Sequence, residues 1–209
     1  VAEFLYAITP LLKTLGAEPI IYAGDKSFSQ LVGPSQTEDG ITVYNGPIIK
    51  PGWFYSRQKL APILQLCQTA GIELVHAQGT YTAGFMAMQI HKRLHIPYVV
   101  TSHSDILSAN SKRINRSNVK QRCRHILKSA ALVTHLTPMM AEVSHHLWDT
   151  KSKSMIIGNG IDCAMWRPYA TLPEKNYLLA IGRLERGKGF MFSSSCMQNY
   201  WSRTSPARW

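Results

Sequence analysis

The sequence predicts an α/β fold, a parallel sheet covered by helices on both faces. Three observations carry that expectation. The strands read as short continuous apolar runs, as buried parallel strands do. They alternate with stretches whose apolar residues recur at helical spacing. Hydrophobic residues make up 45% of the 209 positions against 17% charged, which supports a packed core and excludes wholesale disorder.

Phe4, Leu5, Ile8, Leu11, Leu12 and Leu15 share one helix face, and Gly16 supplies the stop. Pro19 to Gly24 reads as a buried strand, a Gly/Ser/Asp-rich stretch follows, and Ile41 to Tyr44 is a second strand. Asn45 to Gly52 holds two prolines and two glycines and is expected to be loop. Leu60, Ile63, Leu64 and Cys67 form the next amphipathic face, ending at Gly71. Glu73 to Gln78 is a strand, and Ala83, Ala87, Ile90 and Leu94 line a helix. Pro97 to Ser102 is a strand, followed by a basic helix lined by Val119, Cys123, Ile126 and Leu127. Ala131 to Thr134 is a strand, Pro138 suits the first position of a helix running to Trp148, and Met155 to Ile157 is a short strand. Pro168 and Pro173 bracket a polar link, after which Tyr177 to Ile181 is one more strand. From Phe192 to Trp209 no period of 2 or 3.6 exists, and a frameshift or cloning artefact is the expected cause.

Composition narrows the function. Cys67, Cys123, Cys163 and Cys196 lie far apart, so a zinc ribbon is excluded and a reducing compartment is favoured over a disulfide scaffold. No run of eighteen apolar residues could span a membrane. Val stands first and no signal peptide is visible, so the natural start is expected upstream. The net charge of +11 is uneven: no acidic residue occurs between Asp105 and Glu142, while Lys112, Arg113, Arg116, Lys120, Arg122, Arg124 and Lys128 do. Such a face is either solvated or turned to a polyanion. Nucleic acid is disfavoured, because aromatic residues do not interleave with the cations. An anionic lipid surface is the stronger functional reading, at about 1 kcal/mol per cation.

The densest chemistry follows the Tyr177–Ile181 strand, in Gly182-Arg-Leu-Glu-Arg-Gly-Lys-Gly189. Parallel α/β sheets bind ligands beyond the carboxyl ends of their strands, so cations there point at a crevice. Gly182, Gly187 and Lys188 match G-x-x-x-x-G-K, but Gly189 stands where a P-loop needs Ser or Thr to ligate magnesium. A metal-free clamp on a diphosphate, with Arg183 as a planar fork and Lys188 as a point charge, competes with an ordinary solvated turn.

Four segments in order resemble glycosyltransferase family 4, the retaining nucleotide-sugar enzymes of GT-B fold. Gly182-Arg-Leu-x-x-x-Lys188-Gly189 resembles its donor-diphosphate motif. Glu73-Leu-Val-His-Ala-Gln-Gly79 resembles its D-x-V-H-x-H-G turn, and Pro97-Tyr-Val-Val-Thr-Ser-His103-Ser-Asp105 its P-x-V-x-T-x-H-x-D strand. Asn159-Gly160-Ile161-Asp162, with Trp166 and Pro168 beyond, resembles the interdomain N-G-[IV]-D-x-x-x-F-x-P segment. The resemblance implies two Rossmann-like domains facing across a cleft. By it, His103 is the catalytic residue reaching toward the donor sugar, and Gly182, Arg183 and Lys188 bind the donor diphosphate. Asn159, Gly160 and Asp162 form the hinge, and His76, Gly79 and Asp105 line the acceptor side. No metal or other cofactor is implied, the nucleotide-sugar being substrate.

Departures accompany the matches. Gln78 replaces the second His of the H-x-H-G turn. The family's first strand and glycine-rich loop are absent, and residues 190–209 hold no acidic residue where a donor-binding glutamate pair would be. The expected organisation is therefore an acceptor-side domain over residues 1–166, a linker and first donor-domain strand and turn over 167–190, and an aberrant, disordered tail over 191–209. The expected activity is retaining sugar transfer to a glycan or glycolipid in polysaccharide or lipopolysaccharide biosynthesis, cytoplasmic and peripheral on the inner membrane face, with this chain an inactive fragment. A non-catalytic basic module binding membrane or nucleic acid, or another Rossmann-type nucleotide enzyme, stays open as an alternative.

Blander readings compete at single residues. His103 could be an ordinary hydrogen-bonded histidine. His91 and His95 are four apart, but His95 immediately precedes Ile96-Pro97, where the helix should have ended, and no carboxylate accompanies them, which argues against a metal. His145 and His146 are expected at the surface, Glu73 at a solvated strand end. No G-x-S-x-G elbow supports hydrolase chemistry.

Overall fold

A computed structural model describes residues 2–49, 56–103, 114–160 and 163. Residues up to Gly160 form one unit, with Ile161–Trp209 a second; of the latter only Cys163 is described, so the expected linker, donor strand and tail lie outside the described residues.

Helix α1 (Ala2–Thr14) leads to strands β1 (Ile20–Asp25), β2 (Val32–Gln36) and β3 (Thr42–Pro47). They form a three-stranded sheet in the order β1-β3-β2, with β1 parallel and β2 antiparallel to β3. After α2 (Ser56–Thr69), strand β4 (Val75–Gln78), helix α3 (Thr82–Leu94), strand β5 (Tyr98–Ser102), helix α4 (Ser117–Ser129), strand β6 (Leu132–His135), helix α5 (Pro138–Leu147) and strand β7 (Ser154–Ile156) alternate. These last four strands form a wholly parallel sheet in chain order, flanked by helices. That is the α/β architecture expected from the alternation.

Two local expectations are corrected. Strand β2 was not anticipated, because all five of its residues are exposed and no apolar alternation marks it. Strand β3 runs on through Asn45, Gly46 and Pro47, which were expected to be loop. They pair with Ala23, Gly24 and Asp25 of β1, and Pro47 keeps a carbonyl that accepts from the Tyr22 hydroxyl at 2.7 Å. Gly46 is needed there, since a Cβ would sit 2.6 Å from that hydroxyl. The amphipathic face expected for α1 is also only partly covered: Leu11 and Leu15 are 62% and 82% exposed.

The helix boundaries follow from their end groups. Helix α2 closes with Gly71 in the left-handed region and Ile72 donating to the Cys67 carbonyl, a Schellman-type stop. In α5, Thr137 caps by accepting from the Met140 amide, and Pro138 occupies the first turn, where no N–H is needed. His95 ends α3 with φ 57° while His91 Nδ1 meets the Ile96 carbonyl at 3.0 Å. Both histidines read as possible metal ligands thus belong to a helix terminus.

The main core lies where α3 and α4 cover the parallel sheet. Tyr98, Val100, Cys123, Ile126, Leu127 and Val133 are fully buried in one cluster. Tyr98 keeps its phenol satisfied by donating to the Ile126 carbonyl at 2.6 Å. Gly84 allows α3 to approach α4, for a Cβ there would lie 2.8 Å from the Ile126 methyl Cγ2. A second cluster gathers Ile49, Ile63, Cys67 and Ile90.

Candidate active site at the strand ends

Alternation along a strand sends residues i and i+2 to one face. His76 and Gln78 on β4, Thr101 on β5 and His103 just beyond it therefore share a side of the parallel sheet. The register places Gln78 opposite Thr101 and Thr101 opposite Thr134. Contacts follow that geometry. His103 Nε2 lies 2.6 Å from Gln78 Oε1. His76 Nε2 lies 2.7 Å from Thr101 Oγ1, which lies 2.6 Å from Thr134 Oγ1. The last pair is buried, so a run of side-chain contacts leads from the exposed His76 into the sheet.

Gly79 turns the chain out of β4 with φ 129°, a conformation that favours glycine. Its amide donates to the Thr101 carbonyl at 2.8 Å and its carbonyl accepts from the Gly84 amide at 2.9 Å, tying the strand end to the start of α3. The His76 imidazole is held below its ordinary pKa, first by desolvation of the ring and then by the neighbouring His103. The residue as a whole is exposed, and solvent screening moderates the effect.

Of the residues nominated from sequence, the structure brings together His76, Gly79 and His103. Asn159 and Gly160 are exposed and follow β7. Asp105, Asp162, Gly182, Arg183 and Lys188 lie outside the described residues, as do Lys112 and Arg113. Sequence reading did not foresee the roles of Thr101 and Thr134, or of Gln78 as the partner of His103. The available signal was the shared parity of 76 with 78 and of 101 with 103. Among the described residues no group of three or more His, Cys, Asp or Glu is placed to hold a metal. A surface depression lined by Glu142, His145, His146, Asp149 and Lys151 contains none of the strand-end residues.

His145 is not the surface residue expected. It is half-buried, and its ring stands edge-on to the buried His135, with centroids 6.4 Å apart. Adjacent helix positions point in different directions, and here one of the two points inward while His146 stays exposed.

Open α/β sheets bind ligands outside the carboxyl ends of their strands, and the His103–Gln78 pair lies at such ends. A family model described as Glycosyltransferase Family 4 matches residues 1–165. The chain belongs to glycosyltransferase family 4. Among solved structures, sucrose-phosphate synthase from Thermosynechococcus elongatus is similar, with a TM-score of 0.66 and 17% identity. The match covers 94% of this chain and 53% of that one, so the family-4 chain spans about half the length of that structure. At that identity the likeness shows the fold, that of a GT-B glycosyltransferase. No curated protein matches the chain.

Proposed function

We propose that this chain supplies the acceptor-side domain of a retaining glycosyltransferase that moves a hexose from a nucleotide-sugar to a glycan or glycolipid, in polysaccharide or lipopolysaccharide assembly at the inner membrane face. The observation that supports this most is the His103–Gln78 pair at the carboxyl ends of β4 and β5, in a chain whose family transfers sugars. In this reading His103 touches the donor sugar. Arg183 and Lys188 hold its diphosphate by charge-assisted hydrogen bonds, with no metal or other cofactor required. The bond from the anomeric carbon to the phosphate oxygen breaks, and the acceptor oxygen bonds to that carbon on the same face. The acceptor's proton leaves with the diphosphate. Asn159, Gly160 and Asp162 would serve the hinge, and His76, Gly79 and Asp105 the acceptor side.

A non-catalytic basic module receives less support. Arg122 donates to the Tyr81 hydroxyl at 3.1 Å, Arg124 to the Leu147 carbonyl at 2.7 Å, and Lys128 lies 5.0 Å over the Trp148 ring. Three of its cations are engaged within the fold.

The test measures labelled-sugar transfer from a panel of nucleotide-sugars to glycan and lipid-linked acceptors. It uses the 209-residue chain and the same chain extended by a complete donor half. The extended protein should turn over, while the shorter chain should show little or no turnover. In the extended protein, Arg183→Ala or Lys188→Ala should lower kcat by about 100- to 1000-fold, as loss of one preorganised donor does. No turnover with any donor, together with salt-sensitive binding to anionic vesicles or DNA, would overturn the reading in favour of the basic module.

A further inference from the structure

The geometry points to Gln78 as a positioning residue that fixes His103 in the Nε2–H tautomer, so that the lone pair of the neutral ring falls on Nδ1. This rests on the proposed role of His103, but its physical content stands without any substrate.

The Gln78 side-chain oxygen can only accept a hydrogen bond. With Oε1 at 2.6 Å from His103 Nε2, the imidazole must carry a proton on Nε2 in both its neutral and its charged form. A neutral imidazole has one N–H, so Nδ1 is then the acceptor nitrogen. An amide neither takes nor gives a proton in this range, so Nε2 is withdrawn from acid–base exchange. Any ligand hydroxyl that engages neutral His103 at Nδ1 does so as a donor. That suits a sugar hydroxyl and disfavours a phosphate oxygen, which has no proton to offer at neutral pH.

The pair is built rather than incidental. Gln78 ends β4 and lies opposite Thr101, two residues before His103, so strand register brings the two side chains together from 25 positions apart. On the same face His76 is occupied by Thr101 through Nε2, leaving the Gln78 oxygen to His103. Gly79 anchors the backbone directly after Gln78 through its bond to the Thr101 carbonyl. A glutamine at this position therefore has a chemical consequence. An imidazole could serve His103 as donor or acceptor, whereas an amide oxygen imposes one role.

The structure also supplies an internal control. His91 Nδ1 meets the Ile96 carbonyl at 3.0 Å, and a carbonyl too can only accept. His91 should thus be the Nδ1–H tautomer, opposite to His103, within one molecule.

The experiment is a long-range proton–nitrogen correlation spectrum of the histidine-labelled 209-residue chain, recorded about 2 pH units above the ordinary histidine value of ~6.5. His103 is assigned by the loss of its signals in His103→Asn. The expected result is a pyrrole-type Nε2 and a pyridine-type Nδ1 for His103, with the reverse for His91. Gln78→Leu should shift both His103 nitrogens away from the parent pattern, with His91 unchanged as the sign of an intact fold. Gln78→Glu keeps the acceptor oxygen, so it should keep the tautomer and hold His103 protonated to higher pH. An Nδ1–H tautomer in the parent chain would mean the amide donates instead, and would overturn the assignment. So would a His103 pattern left unmoved by Gln78→Leu. A failure of sugar transfer in the extended protein leaves all of these spectra as they are, so the two readings fail separately.

Discussion

Arg124 on α4 donates from Nε to the backbone carbonyl of Leu147, the last residue of α5, at 2.7 Å. That carbonyl is one of the helix-end acceptors that no intrahelical N–H reaches. The same device recurs with Lys153, whose ammonium donates to the carbonyls of Lys128 and Ala130 at 2.6 and 2.7 Å, at the end of α4. Basic side chains in this region therefore close helix termini. Lys153→Met should destabilise the chain by about 1–3 kcal/mol, because it leaves two carbonyls without their donor. Urea unfolding of the variant against the parent chain checks this, and an unchanged midpoint would show that solvent satisfies those carbonyls as well.

The engagement of some cations separates two effects of charge reversal on the basic helix. Arg116 and Lys120 are exposed and donate no side-chain hydrogen bond among the described residues. If the helix rests on anionic lipid, Arg116→Glu and Lys120→Glu should each weaken binding to phosphatidylserine vesicles at least about fivefold, near 1 kcal/mol per cation, with unfolding midpoints unchanged. Arg124→Glu should instead lower stability. Vesicle sedimentation across a salt series, paired with urea melts, reads both. Vesicle binding that ignores all three substitutions would remove the membrane proposal.

Gly84 sets how close α3 and α4 come. A Cβ there would lie 2.8 Å from Ile126 Cγ2 and 3.3 Å from the Gly79 carbonyl oxygen. Ile126 is fully buried and β-branched, so its methyl cannot swing aside freely. Gly84→Ala is expected to cost about 1–3 kcal/mol through overpacking, despite alanine's better helix propensity. Combining it with Ile126→Val should not relieve the strain, since Cγ2 is retained, whereas Ile126→Ala should recover part of it. A double-mutant cycle by chemical denaturation measures the coupling.

How far the sequence reached depended on whether a signal was local. The alternation from Glu73 onward announced β4 to β7 and the helices between them, because buried parallel strands and amphipathic helices each leave a pattern within about a dozen residues. Strand β2 left none, being exposed along its whole length. At the candidate site His76, Gly79 and His103 were nominated through their motifs, while Gln78 registered only as a departure. Its partner is 25 positions away, and the register that joins them is a tertiary fact. His145 shows the same boundary: helical geometry says that His145 and His146 diverge, but which of them faces β6 depends on how α5 is rolled against the sheet.

His135 makes the stability of the chain depend on pH. It is 0% exposed, and neither ring nitrogen has a hydrogen-bond partner among the described residues. Burial, and then the neighbouring His145, push its pKa down from 6.5 to about 4. The folded chain thus holds it neutral across a range where the unfolded chain protonates it. Below about 6.5 the unfolded state binds more protons, so stability falls as pH falls, and it levels off once pH drops under the folded value of about 4. Above 6.5 the contribution is complete and flat. The gap between the two values caps the loss at about 3 kcal/mol. His76, also held below its ordinary value, adds a contribution of the same sign. Replacing His135 with Leu removes both the titration and the two orphaned nitrogens. The variant should be at least as stable as the parent at neutral pH and should lose less stability between pH 6.5 and 4. Urea midpoints across that range test this. A His135→Leu profile parallel to the parent's would assign the acid sensitivity to the carboxylates or His76 instead.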